Sequence, residues 1–166
     1  MSRLDSFLRR LQAQRDCLNA AVGQVAALPG PVFELGLGNG RTYDHLRAAC
    51  PGREIFVFER SVAAHPDCIP DADHLFEGPV GDTLAAAAAR FAGTVALVHA
   101  DLGSGHPDID AQTAATVAAR LPALLAPGAV VVSDQKLNLP AGEDLPLPAG
   151  VQAGRYFMQR WGGPPA

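Results

Sequence analysis

The stretch from Val32 to Thr42, read Val-Phe-Glu-Leu-Gly-Leu-Gly-Asn-Gly-Arg-Thr, constrains the fold more than any other. An apolar run carrying one acid reads as a short buried strand. The glycines read as a tight turn, and Arg41-Thr42 as the start of a helix. Gly36, Gly38 and Gly40 lack a Cβ, so the turn can take positive φ and bring main chain against a ligand. The helix behind it offers free N–H groups at its N-terminus. A strand feeding a helix in this way belongs to a βαβ unit.

The rest of the chain repeats that alternation. Residues 3 to about 27 predict one long amphipathic helix, with Leu4, Leu8, Leu11, Leu18, Val22 and Val25 as its inner face. This helix packs on a sheet and partly covers a ligand site. Strands are predicted at 32–36, 54–59, 74–76, 95–100 and 129–133, and helices at 41–50, 83–91 and 109–125. Gly78 to Asp82 reads as a loop and Ala126-Pro127-Gly128 as a turn. Between 136 and 150 the prolines and glycines leave no room for a regular helix, and one last strand is expected near 155–161. The expected fold is α/β: a Rossmann-like, doubly wound, mainly parallel sheet forming one domain over 1–166. It has an N-terminal helix (1–28), a core (30–134) and a shortened C-terminal segment (135–166).

In such sheets ligands bind beyond the carboxyl ends of the strands. Glu34, Glu59, Asp101 and Asp134 all fall there, which points to one shared site. A dinucleotide fingerprint needs a third Gly or Ala at position 41, where this chain has Arg41. No Gly-Lys-Ser/Thr follows, so a P-loop is excluded. Glu34 would repel a pyrophosphate and attract a cation, so the ligand carries positive charge.

These features resemble the class I S-adenosylmethionine-dependent methyltransferases. The resemblance rests on Glu34-x-Gly36-x-Gly38-x-Gly40, on Glu59 closing the second strand, on Gly81-Asp82 after the third, and on Asp101 closing the fourth. It covers about residues 30–134. The run Gly-Asn-Gly-Arg-Thr-Tyr-Asp-His-Leu at 38–46 is similar to a small group of uncharacterised bacterial methyltransferases. The resemblance implies S-adenosylmethionine as cofactor. Gly36, Gly38 and Gly40 would lie under its ribose and methionine parts, and Glu34 would attract its amino group directly or through water. Glu59 would accept both ribose hydroxyls, with Arg60 packing along the adenine. Asp82 would accept from the adenine amine, beside backbone contacts from Val80 or Gly81. Asp101 would sit near the sulfonium and is the candidate catalytic residue. Thr42 or Arg41 would meet the carboxylate end.

Methyl transfer needs alignment more than a dedicated base. His106 or Tyr43 would serve if a proton must leave the acceptor. An alternative places a divalent metal on Asp101 and Asp134-Gln135, although the expectation is that no metal binds. His99 reads as a satisfied core histidine. The formal net charge of −4 and the lack of a basic run disfavour nucleic acid, so the expected acceptor is a small molecule. A non-catalytic S-adenosylmethionine binder and another Rossmann-like nucleotide-dependent enzyme stay open as alternatives. No apolar run suits a membrane span, and the first residues show no apolar signal region, so a cytoplasmic protein is expected. Cys17, Cys50 and Cys68 read as ordinary reduced thiols, and abundant Ala, Gly and Pro fit a GC-rich bacterial genome. The shortened C-terminus would leave the edge of the fifth strand uncovered, which predicts a homo-oligomer.

Overall fold

A computed structural model describes residues 2–164. Seven strands form one sheet in the order β3-β2-β1-β4-β5-β7-β6. They are β1 (Val32–Leu35), β2 (Ile55–Glu59), β3 (Leu75–Glu77), β4 (Val95–Ala100), β5 (Leu125–Ser133), β6 (Gly142–Asp144) and β7 (Phe157–Trp161). The first five run parallel, and β7 is antiparallel to both β5 and β6. Four α-helices cover the sheet: α1 (Arg3–Gln24), α2 (Arg41–Ala49), α3 (Val80–Phe91) and α4 (Pro107–Arg120). Among the described residues, no helix is long and apolar enough to cross a membrane.

Every residue of β1 and β4 is buried, as a sheet covered on both faces requires. Alternate side chains divide into two cores. Val32, Val57, Leu97 and Val130 pack with Leu18 and Ala21 of α1 and Leu46 of α2. Phe33, Phe56 and Phe58 pack with Leu84 and Phe91 of α3 and Val117 of α4. Phe33 and Phe58 have ring centroids 4.7 Å apart, and Phe33 meets Phe91 edge-on at 5.1 Å. The three cysteines are free, and burial raises the Cys17 thiol to about 11.

Four expectations are corrected. The inner face of α1 begins late: Leu18 and Val25 are buried, but Leu4 is 65% and Leu8 49% exposed. The first turns overhang the strand ends, beyond the sheet that would bury them. Helix α3 starts at Val80, so Gly81 and Asp82 lie in its first turn and not in a loop, and its N-cap is Pro79. A Cβ on Gly81 would come within 2.9 Å of Thr116 Cγ2, so this glycine lets α3 approach α4. Strand β5 absorbs the predicted turn at 126–128, with a register shift in its pairing to β4. Pro122 ends α4 earlier than its apolar pattern implies.

The C-terminal segment holds two strands rather than one. β6 pairs with β7 through Gly142↔Trp161 and Asp144↔Gln159. Its sequence, Gly-Glu-Asp, carries no apolar alternation, so nothing local marks it as a strand. Lys136 Nζ and Gln159 Nε2 bind Asp144 at 2.7 and 2.9 Å, and Trp161 Nε1 donates to the Pro140 carbonyl at 3.0 Å. The β5 edge is therefore covered by β7 of the same chain, which removes the stated reason for expecting a homo-oligomer. Both edges of the sheet, β3 and β6, are three-residue strands.

Candidate active site

The β1–α2 turn lies at the carboxyl ends of the parallel strands. Gly36 has φ 89°, and a Cβ there would come within 2.5 Å of the Asp101 carbonyl oxygen. Gly38 has φ 52° and faces open space. Left-handed backbone with room above it is what main-chain contact to a ligand requires. Gly40 does something else. It is the left-handed N-cap of α2, a Cβ there would overlap Cys68, and it lines neither cavity of the cleft. Its expected place under the ligand is revised to packing. Glu59, at the end of β2, reaches over the turn. Its Oε2 accepts from the Leu37 and Gly38 N–H groups at 2.7 and 3.3 Å, and its Oε1 from Ser61 N–H at 3.0 Å.

Two cavities meet at Gly36. The first, about 330 Å³, lies under α1, which contributes Phe7, Arg10, Leu11 and Gln14. Its other wall is Gly36 to Asn39, Arg41, Thr42, Asp101 and Gly103. The second, about 580 Å³, opens between β2 and the two helices of the opposite face. Glu59, Arg60 and Ser104 are its polar groups near the turn. Phe58, Val80, Leu102 and Ile109 supply apolar walls, with Gly81 among them. The first chamber carries the charges of Arg10, Arg41 and Asp101, and the second sets Glu59 and Arg60 at the turn against apolar walls.

Behind the first cavity a chain of polar side chains crosses the sheet. Glu34 and His99 are register partners on β1 and β4, both fully buried. The Thr42 hydroxyl donates to Glu34 Oε1. His99 Nδ1 donates to Glu34 Oε2 at 2.7 Å. His99 Nε2 lies 2.9 Å from the Tyr156 hydroxyl, accepting from it when neutral and donating when protonated. Gln14 Nε2 donates both to Tyr156 Oη at 3.0 Å and to Asp101 Oδ2 at 2.7 Å. Arg10 Nη2 closes the chain on Asp101 Oδ1 at 2.6 Å. Burial pulls the His99 imidazole down, but the charge and hydrogen bond of Glu34, with Asp101 and Asp134 beyond, hold it above its ordinary value. Burial, and then the Asp101 charge, push the Tyr156 hydroxyl up.

The β4–α4 loop is held from both ends. Asp134 accepts from Leu102 N–H at 3.3 Å and Gly103 N–H at 3.0 Å. Burial and the Asp101 charge raise its carboxyl. Asp110 accepts from Ser104 N–H and Oγ, each at 2.7 Å, and from Gly105 N–H at 3.2 Å, and the Ser104 bonds lower its carboxyl.

The structure thus brings Gly36, Gly38, Thr42 and Asp101 to the first cavity, and Gly36, Glu59, Arg60 and Gly81 to the second. Glu34 is corrected: sealed in the core with both oxygens engaged, it cannot touch a ligand directly. Asp82 is exposed and lines neither cavity. Tyr43 is buried in the core and His106 is exposed at the start of α4, and neither reaches the cleft. Asp101 and Asp134 are committed to Arg10, Gln14 and the loop N–H groups. Among the described residues no group of three or more His, Cys, Asp or Glu is placed to hold a metal. Sequence reasoning missed Arg10, Gln14, Tyr156 and Asp110. Only Arg10 and Gln14 left a trace, as polar residues on a helix assigned to cover the site.

This strand order, with an antiparallel seventh strand and a glycine turn at the mouth of β1, defines a class I S-adenosylmethionine-dependent methyltransferase. The model of a family described as S-adenosyl-L-methionine methyltransferase matches residues 1–161, and the chain belongs to that family. Its cofactor is S-adenosylmethionine. The chain is 47% identical to the S-adenosyl-L-methionine methyl transferase from Silicibacter pomeroyi DSS-3, over 98% of this chain and 99% of that one, with a TM-score of 0.92. The release factor-specific protein-(glutamine-N5) methyltransferase from Alicyclobacillus acidocaldarius shares the fold at 19% identity, TM-score 0.58, over 94% and 93% of the two chains. TrmN from Thermus thermophilus does so at 18% identity, TM-score 0.51, over 86% of this chain and 47% of its own. No curated protein matches the chain.

Proposed function

We propose that the chain methylates a small-molecule acceptor, with S-adenosylmethionine lying across both cavities and Gly36 between its nucleoside and amino-acid ends. The observation that carries this is the pair of cavities, one with Asp101 and Arg10 and one with Glu59 beside apolar walls, meeting at a glycine that no side chain could replace. The bound cofactor supplies an electrophilic methyl group on a sulfonium. Glu59 takes the ribose hydroxyls: Oε1 accepts one backbone N–H and keeps a further lone pair, and Oε2 can exchange its long 3.3 Å bond from Gly38 N–H for a hydroxyl. Arg60, Val80, Gly81 and Ile109 wall the adenine. Asp101 offers its charge to the cationic part of the cofactor, held in place by Gln14. Thr42 and Glu34 act indirectly, by fixing the start of α2 to β1. Phe7 and Leu11 exclude water from above. The chain's contribution to rate is alignment.

The small acceptor is supported by the roof. Because α1 covers the first cavity, an acceptor must enter a chamber and cannot simply lie on an open face. The net charge of −4 also opposes a polyanion. The test supplies methyl-labelled cofactor and enzyme to a cell extract divided by size. Label is expected in the small-molecule fraction, and label confined to RNA or protein would overturn the proposal.

A further inference from the structure

We propose that a separate cavity, between α1 and the segment before β7, binds a small dianion: a phosphate monoester or a dicarboxylate held by Arg9 and Arg155.

Helix α1 has a cavity along each flank. Arg10, Leu11 and Gln14 line the one at the glycine turn. Arg9, Gln12 and Asp16, at three- and four-residue steps on the other side, line one of about 440 Å³. That volume suits a small molecule. Its far wall is the segment before β7, which contributes Gln152 and Arg155. This wall is preset: Val151 packs against the core under α1, and Arg155 N–H donates to the Gln152 carbonyl at 3.1 Å. No residue of this cavity lines either cavity of the cofactor cleft.

Charge sets this cavity apart. The chain has 17 acidic residues against 13 Lys and Arg, yet here Arg9, Arg15 and Arg155 meet one acid, Asp16. Arg15 is paired with Asp16 at 3.0 Å. Among the described residues, Arg9 and Arg155 have no side-chain hydrogen bond or ion pair. Asp5, one turn before Arg9, is engaged with Ser2 in the helix cap. Arg155 is half-buried, where a guanidinium left unpaired is costly. The lining is therefore two charges positive, with the two unpaired cations on opposite walls. They repel each other, and a ligand with two negative charges turns that repulsion into attraction. A planar guanidinium gives a carboxylate or phosphate two parallel N–H bonds. The amides of Gln12 and Gln152 add donors for the remaining oxygens. A nucleic-acid backbone is the weaker candidate, because the whole chain carries a net charge of −4.

Calorimetric titrations of the purified chain test this, with inorganic phosphate, malonate and acetate as probes at constant ionic strength and at a pH where phosphate is chiefly dianionic. Both dianions are expected to bind ~10-fold or more tightly than acetate. Phosphate ahead of malonate names a phosphate monoester, and the reverse order names a dicarboxylate. Arg9→Gln and Arg155→Gln are each expected to weaken the preferred dianion by ~10-fold or more. Arg120→Gln, at the end of α4 on the other face of the sheet, is expected to change it by less than about threefold. All three variants are expected to keep the parent's affinity for S-adenosylhomocysteine, and melting curves confirm folding. Dianions that bind no better than acetate, or that bind the Arg9 and Arg155 variants as well as the parent, overturn the site. Parallel loss of S-adenosylhomocysteine from those two variants would make the cavity part of the cofactor site. A short oligouridylate bound more tightly than either dianion would overturn the small ligand in favour of nucleic acid.

Discussion

Glu59 shows how one side chain serves fold and site together. Its carboxylate accepts from three backbone N–H groups, two of them in the turn it would help to shape around a ribose. Glu59→Ala is therefore expected to cost about 1–3 kcal/mol of folding stability, and to weaken S-adenosylmethionine by ~10-fold or more. Urea unfolding and calorimetry separate the two effects, and unchanged affinity would refute the ribose role. Tyr156 poses a purely internal question. Its hydroxyl joins His99 to Gln14 and has no access to solvent. Tyr156→Phe leaves buried His99 Nε2 without a partner and removes one of the two Gln14 Nε2 bonds, at about 1–3 kcal/mol in all. A variant as stable as the parent would show that the chain of side chains adds nothing to stability.

At the scale of elements, α1 is two structures in one. From Ala13 onward it is core, with Cys17, Leu18 and Ala21 buried. Before that it is a roof, with Leu4, Phe7 and Leu8 exposed and a Ser2–Asp5 capping box at its start. The cap stabilises only the roof, so Ser2→Ala is expected to lower local stability there by about 0.5–2 kcal/mol. Amide hydrogen exchange over residues 4–8 should then speed up without any shift of the global melting temperature. A matching drop in global stability would mean that roof and core unfold as one unit. The β4–α4 loop is the opposite case. Two acids from different elements, Asp134 and Asp110, pin its backbone, so this wall of both cavities is preset.

For the whole molecule, the fully buried Glu34–His99 pair couples stability to pH. The folded imidazole titrates above its ordinary value, so the folded state holds a proton that the unfolded chain releases first. Stability from this source is fully present below pH ~6.5. It declines as pH rises through the folded value, at up to ~1.4 kcal/mol per pH unit. Melting temperature is expected to fall across that window, and His99→Asn is expected to flatten the fall. His74, raised by its hydrogen bond to Asp71, contributes in the same direction, so the difference between parent and variant isolates His99. A variant with the parent's slope would assign the effect elsewhere.

Local chemistry was enough to read the order of strands and helices from Val32 to Ser133. It was enough for the glycine turn too. Apolar period, a missing Cβ and an acid before a turn are properties of neighbouring residues. They hold however the chain is folded. The start of α3 and the span of β5 escaped because contacts with other elements override local turn signals: Gly81 packs on Thr116, and Leu125 pairs with Val95. β6 escaped because a polar edge strand is defined by its partner β7. Glu34 was legible as an acid at the site, but its burial was not, since His99 lies 65 residues away and Tyr156 a further 57. Gln14 meets Asp101 across 87 residues and Arg10 meets it across 91. A hydrogen bond depends on a few tenths of an ångström between groups that no local pattern relates. Only the packed sheet, with α1 laid across its strand ends, decides which acid faces the cleft and which is sealed behind it.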